Sequence, residues 1–220
     1  MMDCLNIEEL TRIIIKEIRD YEEKEGVKSR RKIEVPINVS ARHVHLSEEH
    51  MEALFGKGYT LTPIRDLMQP GEFAAKETVI IVGPKGILPS VRILGPARKR
   101  TQVEVSKTDC YTLGIEAQVR DSGNHEGTPG CIIVGPMGAV KLEEGVIVAM
   151  RHVHMPKNLA EKIGIKDKNL LKVEVGEERK LIFENVLARV SEKFVLEMHV
   201  DTDEANAAGI KNQAKGYILL

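Results

Sequence analysis

The chain is 220 residues long, enough for one large or two small domains with a substantial core. With 42% hydrophobic and 30% charged residues its composition is globular, and no apolar run approaches the roughly 18 residues a membrane span needs. Lys plus Arg (32) nearly balance Asp plus Glu (33), and there is no Trp, which argues against both bulk polyanion binding and stacking on single-stranded nucleic acid.

The first predicted element is an amphipathic helix within residues 1–26. Asn6 and Glu9 have capping-box spacing, Ile7, Leu10, Ile14 and Ile18, joined by Ile13, form an apolar stripe, and Gly26 is a plausible stop. Residues 27–32 (VKSRRK) are polar and basic and read as a linker. Acids and bases balance over residues 1–32, eight of each, so a groove on another protein suits the helix better than a membrane surface. The alternative is a first helix packed on its own core. The charged start does not resemble a secretory signal.

From Ile33 the pattern turns to short Val- and Ile-rich runs punctuated by Gly and Pro: IEVPINVS, TVIIVGPKG, VRILGPA, CIIVGPMGAV, GVIVAMRHV, LLKVEVG and FVLEMHV. Helical patches are brief, at Ser47–Phe55 and Pro156–Ile163. The expected fold is therefore mainly β with short helices, as small barrels more than an open parallel sheet. Cys4, Cys110 and Cys131 are odd in number and widely spaced, without CxxC pairing, which suits a reducing compartment and incidental thiols.

An internal repeat carries the chemistry. Arg42-His43-Val44-His45-Leu46 recurs as Arg151-His152-Val153-His154-Met155, and Ile80–Gly86 (IIVGPKG) recurs as Ile132–Gly138 (IIVGPMG). In a strand, residues i and i+2 share a face, so each His-Val-His presents two imidazoles side by side. Four of the seven His lie in these two copies, which favours two related halves meeting at a metal-binding site. Glu104 and His199 sit in strand-like runs and are further ligand candidates, although alternation alone reads Glu104 as the solvent-facing member of TQVEVS. Three ligands on each of two metals would leave open positions, and imidazole with carboxylate suits Zn²⁺ while admitting Co²⁺, Mn²⁺ or Fe²⁺.

Residues 83–107 hold six bases and one acid, a local net charge of +5 in a chain of −1. Lys85, Arg92, Arg98, Lys99 and Arg100 could hold phosphates, or could form a solvated basic face. There is no GxxxxGK[ST], no GxGxxG and no GxSxG, which argues against ATP, NAD and a serine nucleophile.

INVSARHVHLS, TPIRDLMQPGEFAAKETV, GPARKRTQVEVSKTD, VRDSG, GVIVAMRHVHM and VLEMHVDTDEANAAG together resemble the phosphate propanoyltransferases, the PduL-type phosphotransacylases of bacterial microcompartments, across roughly residues 33–210. The resemblance implies two related small β-barrels sharing a dinuclear metal site, with residues 42–149 as one and 33–41 with 150–220 as the other. It implies interconversion of acyl-CoA (propanoyl or acetyl) plus phosphate with acyl phosphate plus CoA. His43, His45 and Glu104 match the ligands of one zinc, and His152, His154 and His199 those of the other. Arg98 matches a phosphate-binding arginine. Val39, Ser40, Ala41, Lys85, Arg92 and Asn206 fall where the family holds CoA, with Ala41 contributing only backbone. The N-terminal helix then resembles an encapsulation peptide that addresses the chain to shell or core proteins in a microcompartment lumen, the cytoplasm being the alternative. No nucleic acid or membrane partner is implied, and a homo-oligomer is compatible. A binuclear metallohydrolase and a metal-stabilised shell scaffold are the rival readings.

Overall fold

The computed structural model describes residues 7–24 and 32–220. In chain order the first half of the elements are α1 (Ile7–Lys24), β1 (Lys32–Val39), β2 (His43–His45), α2 (Glu48–Phe55), β3 (Pro63–Asp66), β4 (Phe73–Val82), β5 (Ile87–Gly95), β6 (Gln102–Glu104), α3 (Lys107–Leu113) and β7 (Val119–Arg120). There follow β8 (Cys131–Val134), β9 (Ala139–Leu142), β10 (Val146–Ala149), β11 (His152–Pro156), α4 (Lys157–Ile163), β12 (Leu170–Val175), β13 (Leu181–Ser191), β14 (Glu197–Val200), α5 (Thr202–Ala208) and β15 (Ala214–Leu219).

These strands form two sheets. One is a closed barrel in the order β1-β14-β11-β13-β12-β15, sealed by antiparallel pairing of β1 with β15 from Lys32↔Leu219 to Ile37↔Ala214. The other has nine strands in an open path, β7-β10-β6-β2-β5-β4-β8-β9, with β3 added beside β4. Of the two small barrels expected, one is a closed barrel, and the other half is a nine-stranded sheet that this path leaves unclosed. The physical reason lies at the ends of the path: β7 is two residues long and β9 four, too few ladder groups to seal one edge onto the other.

Each sheet buries its own apolar cluster. Val44, Leu46, Ile81, Ile93, Val103 and Ile133 fill the nine-stranded side, and Val35, Ile37, Val153, Met155, Met198 and Ile218 fill the barrel. Strands β2 and β11 are buried on both faces. Alternation sends Val44 and Val153 into these cores, while His43, His45, His152 and His154 occupy the opposite faces and are still at most 8% exposed.

The second repeat has a structural role that its sequence did not disclose. Both GPxG turns belong to the nine-stranded sheet, one joining β4 to β5 and the other β8 to β9. Each turn caps a helix end: the Lys85 N–H donates to Leu113 O at 3.0 Å, and the Met137 N–H to Leu54 O at 3.0 Å. A Cβ at Gly83 would lie 2.3 Å from Leu113 O, and one at Gly135 would lie 2.7 Å from Leu54 O, so both positions require glycine.

Helix α2 starts at Ser47, whose side chain accepts from the His50 N–H, matching the expected patch. Helices α3 and α5, not anticipated, begin with full capping boxes, Ser106 with Asp109 and Asp201 with Glu204. In α1, Ile7, Leu10, Ile13, Ile14 and Ile15 are exposed. The expected cap at Asn6, the stop at Gly26 and linker residues 27–31 lie outside the described residues.

Candidate metal and phosphate site

The two His-Val-His strands occupy equivalent positions in their sheets. Strand β2 runs between β5 and β6, setting His43 opposite Glu104 and His45 opposite Gln102. Strand β11 runs between β13 and β14, setting His152 opposite His199 and His154 opposite Glu197. Side chains two residues apart and side chains 61 or 47 residues apart in the chain are thereby brought together, and the candidate ligand atoms within each group of three lie within 4.8 Å of one another. Both groups open on one small cavity, about 20 Å³, lined by Ser40, Glu104, His152, His199 and Asp201 among others.

The repeat is anchored in the same way twice. His43 donates from Nδ1 to the Ala41 carbonyl at 2.9 Å, and His152 from Nδ1 to the Met150 carbonyl at 2.8 Å, so each presents Nε2 as the lone-pair nitrogen. The preceding arginines pair with the third residue of a capped helix: Arg42 with Asp109 at 2.6 Å and Arg151 with Glu204 at 2.8 Å. The Thr108 N–H of α3 in turn donates to Asp203 of α5 at 2.8 Å, linking the two halves beside the site.

Electrostatics favour the ligating form at His45, His152, His154 and Glu104. Burial holds His45 and His152 well below the usual imidazole range and His154 down to about 3, with neighbouring His and Arg charges adding to the effect. Burial also acts to lower His43, but Glu104, with Oε2 at 3.4 Å from Nε2, outweighs it and raises this ring. Against its own burial, Glu104 is kept well below the usual carboxylate range by His43 and His45. The His152 and His154 Nε2 atoms stand 3.1 Å apart, while Nδ1 of His45 and of His154 are buried with no partner among the described residues. Neutral imidazoles that converge on one another and leave buried nitrogens unpaired suit a divalent cation, as does a donor set of imidazole and carboxylate without thiolate.

Both carboxylates at the site are oriented by glutamine amides. Gln102 donates from Nε2 to Glu104 Oε1 at 2.6 Å. Glu197, 3% exposed, accepts from Gln69 Nε2 at 2.6 Å, Asn38 Nδ2 at 2.5 Å and His199 Nε2 at 3.0 Å. Burial would raise the Glu197 carboxyl, but these donors, led by His199, bring it down to about 2. The bond to Glu197 leaves Nδ1 as the lone-pair nitrogen of His199.

Arg98 adjoins this arrangement: its Nη1 donates to Ser122 Oγ at 3.2 Å, and Ser122 also contacts Glu104 at 3.4 Å. Ser40 lines the cavity, and Ala41 supplies the carbonyl that holds His43. The Val39 N–H is engaged by Asn212 Oδ1 at 2.7 Å. Among the other basic candidates, Arg92 is the register partner of His43 on β5, but its charged end is engaged elsewhere. Arg92 spends its guanidinium on the carbonyls of Ala75 and Lys76, at 3.0 and 2.7 Å. Lys85 lines a larger cavity of about 360 Å³ with Lys107, Tyr111 and Glu116. Asn206 is exposed on α5.

Sequence reasoning passed over Gln102, Ser122, Gln69, Glu197 and the Asp121–Arg189 ion pair that joins the two sheets. The i, i+2 spacing of Gln102 with Glu104 and of Glu197 with His199 was the available signal, since it puts each pair on one face of its strand.

A family model described as phosphate propanoyltransferase matches residues 36–211. The chain is 58% identical over 184 residues to a phosphate propanoyltransferase of Thermotoga maritima, covering 83% of this chain and 88% of that protein. It is 46% identical over 217 residues to one of Sebaldella termitidis, covering 99% of both chains. A third, of Lachnoclostridium phytofermentans, is 49% identical over 210 residues, covering 95% of this chain and 96% of that one. The chain therefore belongs to the phosphate propanoyltransferase family and is an acyltransferase.

Proposed function

We propose that this acyltransferase moves a short acyl group, propanoyl or acetyl, between coenzyme A and phosphate, using two divalent metal ions, most simply Zn²⁺. The observation that carries this reading is the pair of three-residue clusters, one from each sheet, opening on one cavity. His43, His45 and Glu104 would hold one ion, and His152, His154 and His199 the other. When bound, such ions would supply Lewis acidity toward the thioester carbonyl and the phosphate oxygens.

The chain's own groups supply the rest. Arg98 offers a guanidinium to the phosphate dianion, and its tether to Ser122 holds that charge beside Glu104. The rings kept neutral by burial remain free to ligate instead of carrying protons. Direct attack of phosphate on the thioester is favoured over an acyl-enzyme, because the described thiols are poor nucleophiles. Cys110 and Cys131 are buried, and burial pushes Cys131 up to about 12. Val39, Ser40, Ala41, Lys85, Arg92 and Asn206 are assigned to CoA. The larger cavity bearing Lys85 and Lys107 supports a cationic hold on its phosphates. The exposed apolar residues of α1 support a docking role for the N-terminal helix toward shell or core proteins of a microcompartment, whose lumen would be the site of action.

Thiol release from acetyl-CoA and propanoyl-CoA, measured with and without phosphate, tests this reading. A transacylase releases CoA only when phosphate is present. Phosphate-independent release would favour a binuclear hydrolase, and no release would favour a metal-stabilised scaffold.

A further inference from the structure

Gln102 is 1% exposed, yet it is a polar side chain at the heart of the nine-stranded sheet. Its amide orientation is fixed by the backbone. Oε1 accepts from the Gly123 N–H at 2.7 Å, a group that can only donate, and from His125 Nε2 at 2.8 Å. Nε2 must therefore face the other way, where it donates one hydrogen to Glu104 Oε1 at 2.6 Å and one to Ser122 Oγ at 2.8 Å. All four bonds open to a glutamine amide are made.

The Ser122 hydroxyl is saturated in the same way. It accepts from Gln102 and from Arg98 Nη1, the latter at 3.2 Å, and its own hydrogen points to Glu104 Oε1 at 3.4 Å. A neutral amide and a hydroxyl thus join a candidate metal ligand to the candidate phosphate arginine, and neither joining group can exchange a proton near neutral pH. At the far end, the backbone N–H of Arg98 donates to Leu46 O at 2.8 Å, one residue beyond His45. The guanidinium is consequently held at both its root and its tip.

We infer that Gln102 and Ser122 are positioning residues that lock the Glu104 carboxylate and the Arg98 guanidinium into one fixed arrangement. Gln102 orients the carboxylate, and Ser122 passes that orientation to the arginine. This rests on the proposed metal and phosphate roles of Glu104 and Arg98.

The test uses the full-length, zinc-loaded chain and three variants, Gln102→Met, Ser122→Ala and Ser122→Thr. Zinc per chain is followed during titration with dipicolinate, and KM for phosphate and for propanoyl-CoA are measured separately. In Q102M one of two ions should leave at 10- to 100-fold lower chelator, the scale on which partners of metal ligands act, and the phosphate KM should rise. S122A should keep both ions while its phosphate KM rises roughly tenfold, the loss of one charge-assisted bond, with the propanoyl-CoA KM unchanged. S122T, which keeps the hydroxyl, should restore the phosphate KM. Wild-type chelator resistance in Q102M, or a wild-type phosphate KM in S122A, would overturn the inference. Ser122 is only half-buried, so S122A decides the matter even where Q102M does not fold. A wild-type chain that binds fewer than two zinc ions would instead sink the metal reading itself.

Discussion

Replacing Glu197 with Gln removes a charge without changing shape, and the surroundings determine the cost. Every partner of this carboxylate is a donor: Asn38 Nδ2 and His199 Nε2 on Oε1, and Gln69 Nε2 on Oε2. A glutamine could keep its carbonyl toward Asn38 and His199, but its NH₂ would then face the NH₂ of Gln69. Gln69 cannot turn over to relieve this, because its Oε1 accepts from the Val195 N–H at 3.2 Å and its Nε2 donates to Val195 O at 3.1 Å. One charge-assisted bond is lost and a buried donor is left unsatisfied, which costs about 2–3 kcal/mol. For a chain of this size that lowers the melting temperature by roughly 5–10 °C. Thermal unfolding of Glu197→Gln, alone and with Gln69→Leu, measures it, and the double variant should recover part of the loss because the facing donor is gone. A melting temperature within about 2 °C of wild type, or strictly additive losses, would refute the donor clash.

Three further outcomes follow from the same structure. Arg98→Ala should raise the phosphate requirement and sharply lower turnover in steady-state kinetics, and an unchanged phosphate dependence would remove Arg98 from the site. Gly83→Ala, whose Cβ would lie 2.3 Å from Leu113 O, should cost about 1–3 kcal/mol by urea unfolding while leaving KM values near wild type. A loss of phosphate binding without a loss of stability would mean that the turn serves the site directly. Deleting residues 1–26 should spare activity in solution and abolish co-localisation with shell proteins, whereas lost activity would make α1 part of the catalytic fold.

The local part of this site was readable because strand periodicity is local. His43 with His45, and His152 with His154, follow from an i, i+2 spacing inside Val-rich runs. The third member of each group is a matter of strand pairing, β2 with β6 and β11 with β14, between registered partners 61 residues apart for His43↔Glu104 and 47 apart for His152↔His199. Alternation alone read Glu104 as solvent-facing, because it could not know that a second sheet covers that side of β6. The resemblance supplied both third members. Gln102, Ser122, Gln69 and Glu197 escaped notice for a different reason: amides and hydroxyls gain meaning only from what they bond. Helices α3 and α5 were readable in principle from Ser106 with Asp109 and Asp201 with Glu204, but each is seven residues long, too short to show a period. The IIVGPxG repeat carried real symmetry, although it marks two hairpins of one sheet and not one in each half.

The central claim is that two metal ions, one in each cluster, sustain phosphate-dependent acyl transfer. It is tested most directly by stripping the chain with chelator, adding Zn²⁺ in steps, and following propanoyl-CoA thiol release in the presence of phosphate. The account predicts no release from stripped protein and full activity at two equivalents per chain, with none when phosphate is omitted. Full activity in the stripped protein, or saturation at a single equivalent, would contradict it.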